Sequence, residues 1–156
     1  MKKQTTGVYL LQDDKILFLI RNKKNDTMHQ TGVYLPIGGH IKLGEGIEDA
    51  AKREVKEESG ITVHELDLKG IVYIRNQNTG DYDVIMFLFT ATNFTGEPVD
   101  GREGKFQWVH KDTIGDLNIY EGDRIFLDLL QKNKFFVLDF LYDKFKLVNH
   151  TILKLI

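Results

Sequence analysis

Gly38-Gly39-His40-Ile41-Lys42-Leu43-Gly44-Glu45-Gly46 leads into a segment containing Arg53-Glu54-Val55-Lys56-Glu57-Glu58-Ser59-Gly60-Ile61, and this junction decides how the chain is read. Four glycines precede a carboxylate-rich stretch. Good helix formers dominate residues 47–59, and acidic residues stand near the start, where the helix dipole favours negative charge. Gly60 is placed to end the helix in a left-handed conformation. At about 100° of rotation per residue, Glu54, Glu57 and Glu58 fall on one arc of roughly a third of the circumference. Ile47, Ala50, Ala51 and Val55 occupy an overlapping arc, so the carboxylates extend the stripe expected to turn inward.

A solvated acidic face belongs opposite an apolar stripe. Burying part of a three-carboxylate cluster without compensation raises its pKa values and destabilises the fold. A hard cation resolves the conflict: magnesium takes oxygen ligands, keeps several waters and bridges a few carboxylates to substrate phosphates. Gly38 and Gly39 allow a turn that side chains would block, bringing backbone carbonyls near a metal and backbone amides near phosphate. Arg53, four residues before Glu57, can fix a carboxylate through paired N–H donors, a structural rather than a chemical task.

Around this junction, residues 7–11 and 16–20 are short β-branched and aromatic runs separated by Asp13-Asp14-Lys15, which predicts a hairpin. Residues 21–31 are polar and predict a surface loop, followed by a short strand at 32–35. The runs 66–75 and 82–92 flank the turn-rich 76–81 and predict an antiparallel pair. Ile85-Met86-Phe87-Leu88-Phe89 implies burial on both faces, so helices should cover both sides of the sheet. A strand is expected at 105–110, a second helix at 121–131 with Ile125, Phe126, Leu129 and Leu130 inward, and one or two closing strands in 135–156. Together these predict an α/β fold, a mixed sheet sandwiched between helices, in one domain over 1–156.

Composition narrows the partners. The 156 residues carry 21 Lys+Arg against 23 Asp+Glu, a net charge of −2, so no basic field draws the chain to a nucleic acid polymer. With no cysteine there is no disulfide, thiol nucleophile or thiolate zinc site. The first apolar run is broken by Gln12, Asp13 and Asp14, too early for a signal peptide or membrane span, which makes the cytoplasm the default. A small ligand and a monomer or homodimer fit these features.

The junction also resembles the complete signature of the Nudix hydrolases. From Gly39, five residues lead to Glu45 and seven more to Arg53-Glu54, and Val55, Glu57-Glu58, Gly60 and Ile61 follow at the family spacing. The resemblance implies a strand, loop and helix holding Mg²⁺ or Mn²⁺, and hydrolysis of a nucleoside diphosphate linked to a further group. By that likeness the metal ligands are the Gly39 carbonyl, Glu54, Glu57 and Glu58. Phe94-Thr95-Gly96-Glu97, Glu103 five residues before Trp108, and Leu129-Leu130-Gln131-Lys132 resemble the MutT-type branch, which removes oxidised purine nucleoside triphosphates such as 8-oxo-dGTP. Glu103 would then be a further ligand or base opposite the helix. Two positions depart from that branch: Leu35 stands where it carries asparagine, and Glu121-Gly122 supplies half of its acidic pair.

The implied catalytic set is Glu57 as base, with Glu54 and Glu103 as rivals and Arg53 in support. Candidate substrate contacts are Gly38, Gly39, Tyr34, Leu35, Trp108, Tyr120 and Glu121, although core packing is the ordinary role of the aromatics among them. His40 and His110 have no serine or second histidine at telling spacing. The expected activity is pyrophosphohydrolysis of a nucleoside triphosphate. ADP-ribose or a dinucleoside polyphosphate is the nearer rival substrate, and a nucleotide-sensing module without catalysis the more distant reading.

Overall fold

The computed structural model of the chain describes residues 2–22, 30–78 and 83–156. Most of the polar stretch 21–31, and residues 79–82 of the expected turn and strand start, lie outside the described residues.

The first hairpin forms as its sequence predicts but is longer: β1 is Lys2–Gln12 and β2 is Lys15–Arg21. Asp13 and Asp14 connect them with φ of 51° and 62°, the two left-handed residues of a tight hairpin turn, a conformation aspartate tolerates. The strand expected at 32–35 shortens to β3, Tyr34–Leu35, and is followed by α1, Ile47–Ser59. Next come β4 (Thr62–Val63), β5 (Asp67–Asn76), β6 (Asp83–Ala91), β7 (Phe94–Thr95) and β8 (Gly104–His110). A 3-10 turn at Lys111–Asp116 leads to α2, Glu121–Gln131, and the tail forms two strands, β9 (Phe136–Asp143) and β10 (Lys146–Leu155).

The main sheet runs β10-β9-β5-β6-β1-β2-β3, with β8 also pairing β2. It is mixed: β1 lies parallel to β6 and β5 parallel to β9, while β5 and β6 form the expected antiparallel pair. Alternation along β1 feeds two cores. Tyr9 points with Phe18, Leu88 and Phe140 toward Phe126 and Leu127 of α2, whereas Val8 and Leu10 meet Ala51 and Val55 of α1 on the opposite face. Helices therefore cover both faces. Phe126 and Leu127 are 0% and 1% exposed, and burial of each contributes about 2 kcal/mol.

Two expected helix faces shift. Ile47 is 39% exposed because α1 meets the sheet only from Ala50 onward. In α2 the buried face centres on Gly122, Asp123, Phe126 and Leu127, with Ile125 and Leu130 at its margins. Gly60 ends α1 as expected, at φ 83° with its amide donating to the Lys56 carbonyl. Among the described residues, no helix is long and apolar enough to cross a membrane.

Candidate active site

The glycine segment is laid along β1 as an irregular strand. Val8 and Ile37 exchange amide-to-carbonyl bonds of 2.7 and 3.0 Å, Thr6 donates to the Gly39 carbonyl at 2.9 Å, and Ile41 donates to the Gln4 carbonyl at 2.9 Å. The approach leaves no room for side chains. A Cβ at Gly38 would stand 1.8 Å from the Thr6 carbonyl oxygen, and one at Gly39 would stand 2.6 Å from the Glu54 carboxyl carbon. The Gly39 backbone thus lies directly against the carboxylate of α1.

Arg53 joins this loop to the helix. Its Nε and Nη2 donate to the two Glu45 oxygens at 2.7 and 2.9 Å, and Nη2 also reaches the His40 carbonyl at 3.1 Å. Its Nη1 donates to Glu54 at 2.9 Å and to Glu57 at 3.2 Å. The Arg53 guanidinium, together with the Lys42 amide, holds the Glu45 carboxyl down at about 2, and the same bonds raise the Arg53 pKa.

Glu58 occupies different surroundings. Burial first, then the charges of Glu54 and Glu103, push its carboxyl up to about 8 against the opposing hydrogen bond from Gly38. Its Oε2 is buried with no hydrogen-bond partner among the described residues. Glu103 faces α1 from the segment before β8 and receives Arg21 Nη1 at 2.5 Å. A buried carboxylate oxygen without a donor, among three other carboxylates and a close backbone carbonyl, suits a hard cation. Among the described residues, no three or more acidic or histidine side chains are already gathered closely enough to hold a metal ion by themselves.

These groups form one wall of a cavity of about 1050 Å³ that extends under the N-terminus of α2. Its far end is built from β5, β6, α2 and the β9–β10 turn and is lined by Ile74, Met86, Tyr120, Asp123, Tyr142 and Phe145. Asp123 is buried there, which pushes its carboxyl up to about 8, so it is mostly protonated at neutral pH. Two hydroxyls lie near it. Tyr142 accepts the Gly122 amide at 2.9 Å, and the Tyr9 hydroxyl is buried without a partner among the described residues. Burial first, then the charge of Asp123, raises the pKa of both tyrosines.

Of the residues expected from sequence, Leu35, Gly38, Gly39, Arg53, Glu54, Glu57, Glu58, Glu103 and Tyr120 line this cavity. Tyr34, Trp108 and Glu121 do not. Tyr34 packs edge-on against Phe18 and donates its hydroxyl to Gln107 at 3.1 Å. Trp108 stacks on Phe94 in the core beneath α1, across the sheet from the α2 side. Glu121 is exposed in the first turn of α2, and Asp123, two residues on, occupies the cavity in its place. Sequence reading missed Asp123, Tyr142 and Phe145. Asp123 did leave a signal, because it precedes Phe126 and Leu127 by three and four residues and so places a carboxylate on an apolar stripe.

Comparison with known proteins adds a family match, two relatives and a solved structure. Residues 1–130 match the model of the NUDIX domain. The chain is 32% identical over 136 residues to the uncharacterized Nudix hydrolase YvcI of Bacillus subtilis (strain 168), covering 85% of this chain and 81% of that protein. It is 32% identical over 135 residues to the oxidized purine nucleoside triphosphate hydrolase of Danio rerio, covering 85% and 83%. A crystal structure of the MutT protein from Bacillus halodurans superposes with a TM-score of 0.85 at 28% identity, covering 96% of this chain and 97% of that one.

Proposed function

The chain belongs to the Nudix hydrolase family, and from that premise we propose that it is a magnesium-dependent pyrophosphohydrolase acting on a nucleoside triphosphate, an oxidised purine such as 8-oxo-dGTP among the candidates, to give the monophosphate and pyrophosphate. The observation that carries this reading is a single cavity with a carboxylate wall against Gly39 at one end and an apolar, aromatic wall with one buried carboxyl at the other. Such a space matches a ligand with a polyphosphate tail and a flat base.

The Gly39 carbonyl, Glu54, Glu57, Glu58 and Glu103 would hold Mg²⁺, with Mn²⁺ as a substitute. Bound there, the ion supplies charge neutralisation on phosphate oxygens and acidifies a coordinated water. Glu57 is the most open of the α1 carboxylates beside Arg53, its side chain 55% exposed against 14% for Glu54, which suits it to receive the proton of the water attacking phosphorus. As that P–O bond forms, the bridging P–O bond breaks and pyrophosphate leaves. Arg53 orients Glu57 and Glu54 and fixes the loop through Glu45. Lining the same cavity, Gly38 offers backbone close to the phosphates. At the base end the neutral Asp123 carboxyl provides one donor and one acceptor for a base edge, beside Tyr120. The enzyme is read as one domain over 1–156, cytoplasmic, monomeric or homodimeric, without a nucleic acid polymer or membrane as partner.

The test is release of pyrophosphate and phosphate from ordinary and oxidised nucleoside triphosphates, ADP-ribose and a dinucleoside polyphosphate. Each is run with Mg²⁺ and with EDTA, for wild type and Glu57→Gln. Metal-dependent turnover of a triphosphate, reduced at least a hundredfold in the variant, is expected. Turnover confined to ADP-ribose or the dinucleoside polyphosphate would replace the substrate class, and tight nucleotide binding without turnover would make the protein a sensing module.

A further inference from the structure

The turn between β9 and β10 breaks a local rule. Lys146 pairs with Asp143, so Lys144 and Phe145 are the two residues of a tight hairpin turn, and Lys144 has a φ of 56°. Such turns favour glycine, asparagine or aspartate, because other side chains strain the left-handed conformation. Here a lysine takes that conformation, and the next residue is a phenylalanine left 37% exposed. Neither choice helps the hairpin to form. Both side chains line the cavity described above.

The turn is also held firmly. The Asn76 side chain donates to the Lys144 carbonyl at 2.9 Å and accepts the Lys144 amide at 3.1 Å. The Gln77 amide donates to the Tyr142 carbonyl at 2.9 Å, and the Asn78 side chain donates to Asp143. The Phe145 ring lies within 4° of parallel to that of Tyr120, at a centroid distance of 6.1 Å. Tyr120 is fixed in turn at the start of α2, where its hydroxyl accepts the Gln30 amide at 2.8 Å. A flat aromatic face is thus braced at the end of the cavity that contains Asp123.

We propose that Phe145 is the stacking face for the base of the nucleotide and determines specificity for substrates that carry a planar base, with Tyr120 setting the orientation of its ring. This deepens the nucleotide reading above and rests on it. The Nudix signature ends at Ile61, so the residue lies outside the segment that supplies the glycine loop and the α1 carboxylates. Stacking takes any planar base, and the edge is left to Asp123.

The experiment measures binding of dGMP and of 2-deoxyribose 5-phosphate by calorimetry, without divalent metal, to wild type and to Phe145→Ala, Phe145→Leu and Phe145→Trp. Thermal midpoints serve to confirm that each variant is folded. Wild type is expected to prefer dGMP, Phe145→Ala and Phe145→Leu to weaken dGMP binding on the order of tenfold, and Phe145→Trp to retain it. Binding of the sugar phosphate should be the same in all four. Wild-type dGMP affinity in Phe145→Ala overturns the proposal. So does wild-type affinity in Phe145→Leu, which would reduce the ring to an apolar cover, or a wild type that does not distinguish the two ligands. A wild type that prefers dGMP but hydrolyses no nucleotide would sink the enzymatic reading and leave the stacking face standing.

Discussion

Arg53 grips Glu45 with two nearly parallel bonds, Nε to one carboxylate oxygen at 2.7 Å and Nη2 to the other at 2.9 Å, while its third nitrogen serves Glu54 and Glu57. Glu45 sits in the loop and the other three residues on α1, so one guanidinium sets the distance between loop and helix. Lysine keeps the charge but cannot reproduce the fork. Arg53→Lys should lower kcat/KM on the order of a hundredfold through displacement of the carboxylates. Glu45→Gln should act similarly, and the double variant should lose less than the sum of the two, which steady-state kinetics on all four proteins would reveal.

Gly39→Ala should abolish divalent-cation binding more thoroughly than it unfolds the protein. The added methyl would stand 2.6 Å from the Glu54 carboxyl carbon and force that side chain away from the loop carbonyl. Titration with Mn²⁺ followed by calorimetry checks this. An unchanged affinity would mean that the Gly39 carbonyl and Glu54 do not share an ion.

Glu58→Gln should uncouple stability from the cation. Without metal the Glu58 carboxyl, at about 8, is already mostly neutral at pH 7, so the amide fits the same surroundings and the thermal midpoint should hold or rise. A hundredfold excess of ligand over its Kd stabilises by about 2.7 kcal/mol. Added Mg²⁺ should therefore raise the midpoint of wild type and leave that of the variant nearly unchanged.

Asp123 gives a pH signature. Its folded pKa, about 8, lies above the unfolded value near 3.8, so the folded protein holds the proton more tightly. Its contribution is fully present below pH 4, falls as pH rises, and is gone above pH 8, at about 1.4 kcal/mol per unit. Asp123→Asn should remove most of that slope, leaving the variant several kcal/mol more stable than wild type at pH 8 to 9. Urea unfolding between pH 5 and 9 tests the sign: parallel profiles for the two proteins would place the carboxylate in contact with water.

Trp108→Leu should cost about 1 to 2 kcal/mol of stability through lost stacking on Phe94, with kcat/KM within about twofold of wild type. A selective loss of activity at unchanged stability would return Trp108 to the substrate site.

The sequence by itself determined the carboxylate end of the cavity. Local periodicity places Glu54, Glu57 and Glu58 on one helical arc with Ala51 and Val55, and the glycines before them require a backbone that passes close to something. The unbroken apolar run Ile85-Met86-Phe87-Leu88-Phe89 likewise called for a sheet buried on both faces. Both depend on residues a few positions apart, so the chain carries them without folding. The far end of the cavity could not be read in this way. Asp123, Tyr142 and Phe145 come from a helix, a strand and a turn, and they face Met86 and Ile74 only because β9 lies parallel to β5 and α2 crosses above them. The same dependence on packing placed Trp108 across the sheet from the α2 side and left Glu121 outside where Asp123 turns in, because long-range pairing, not spacing, decides which face of a strand or helix meets the cavity.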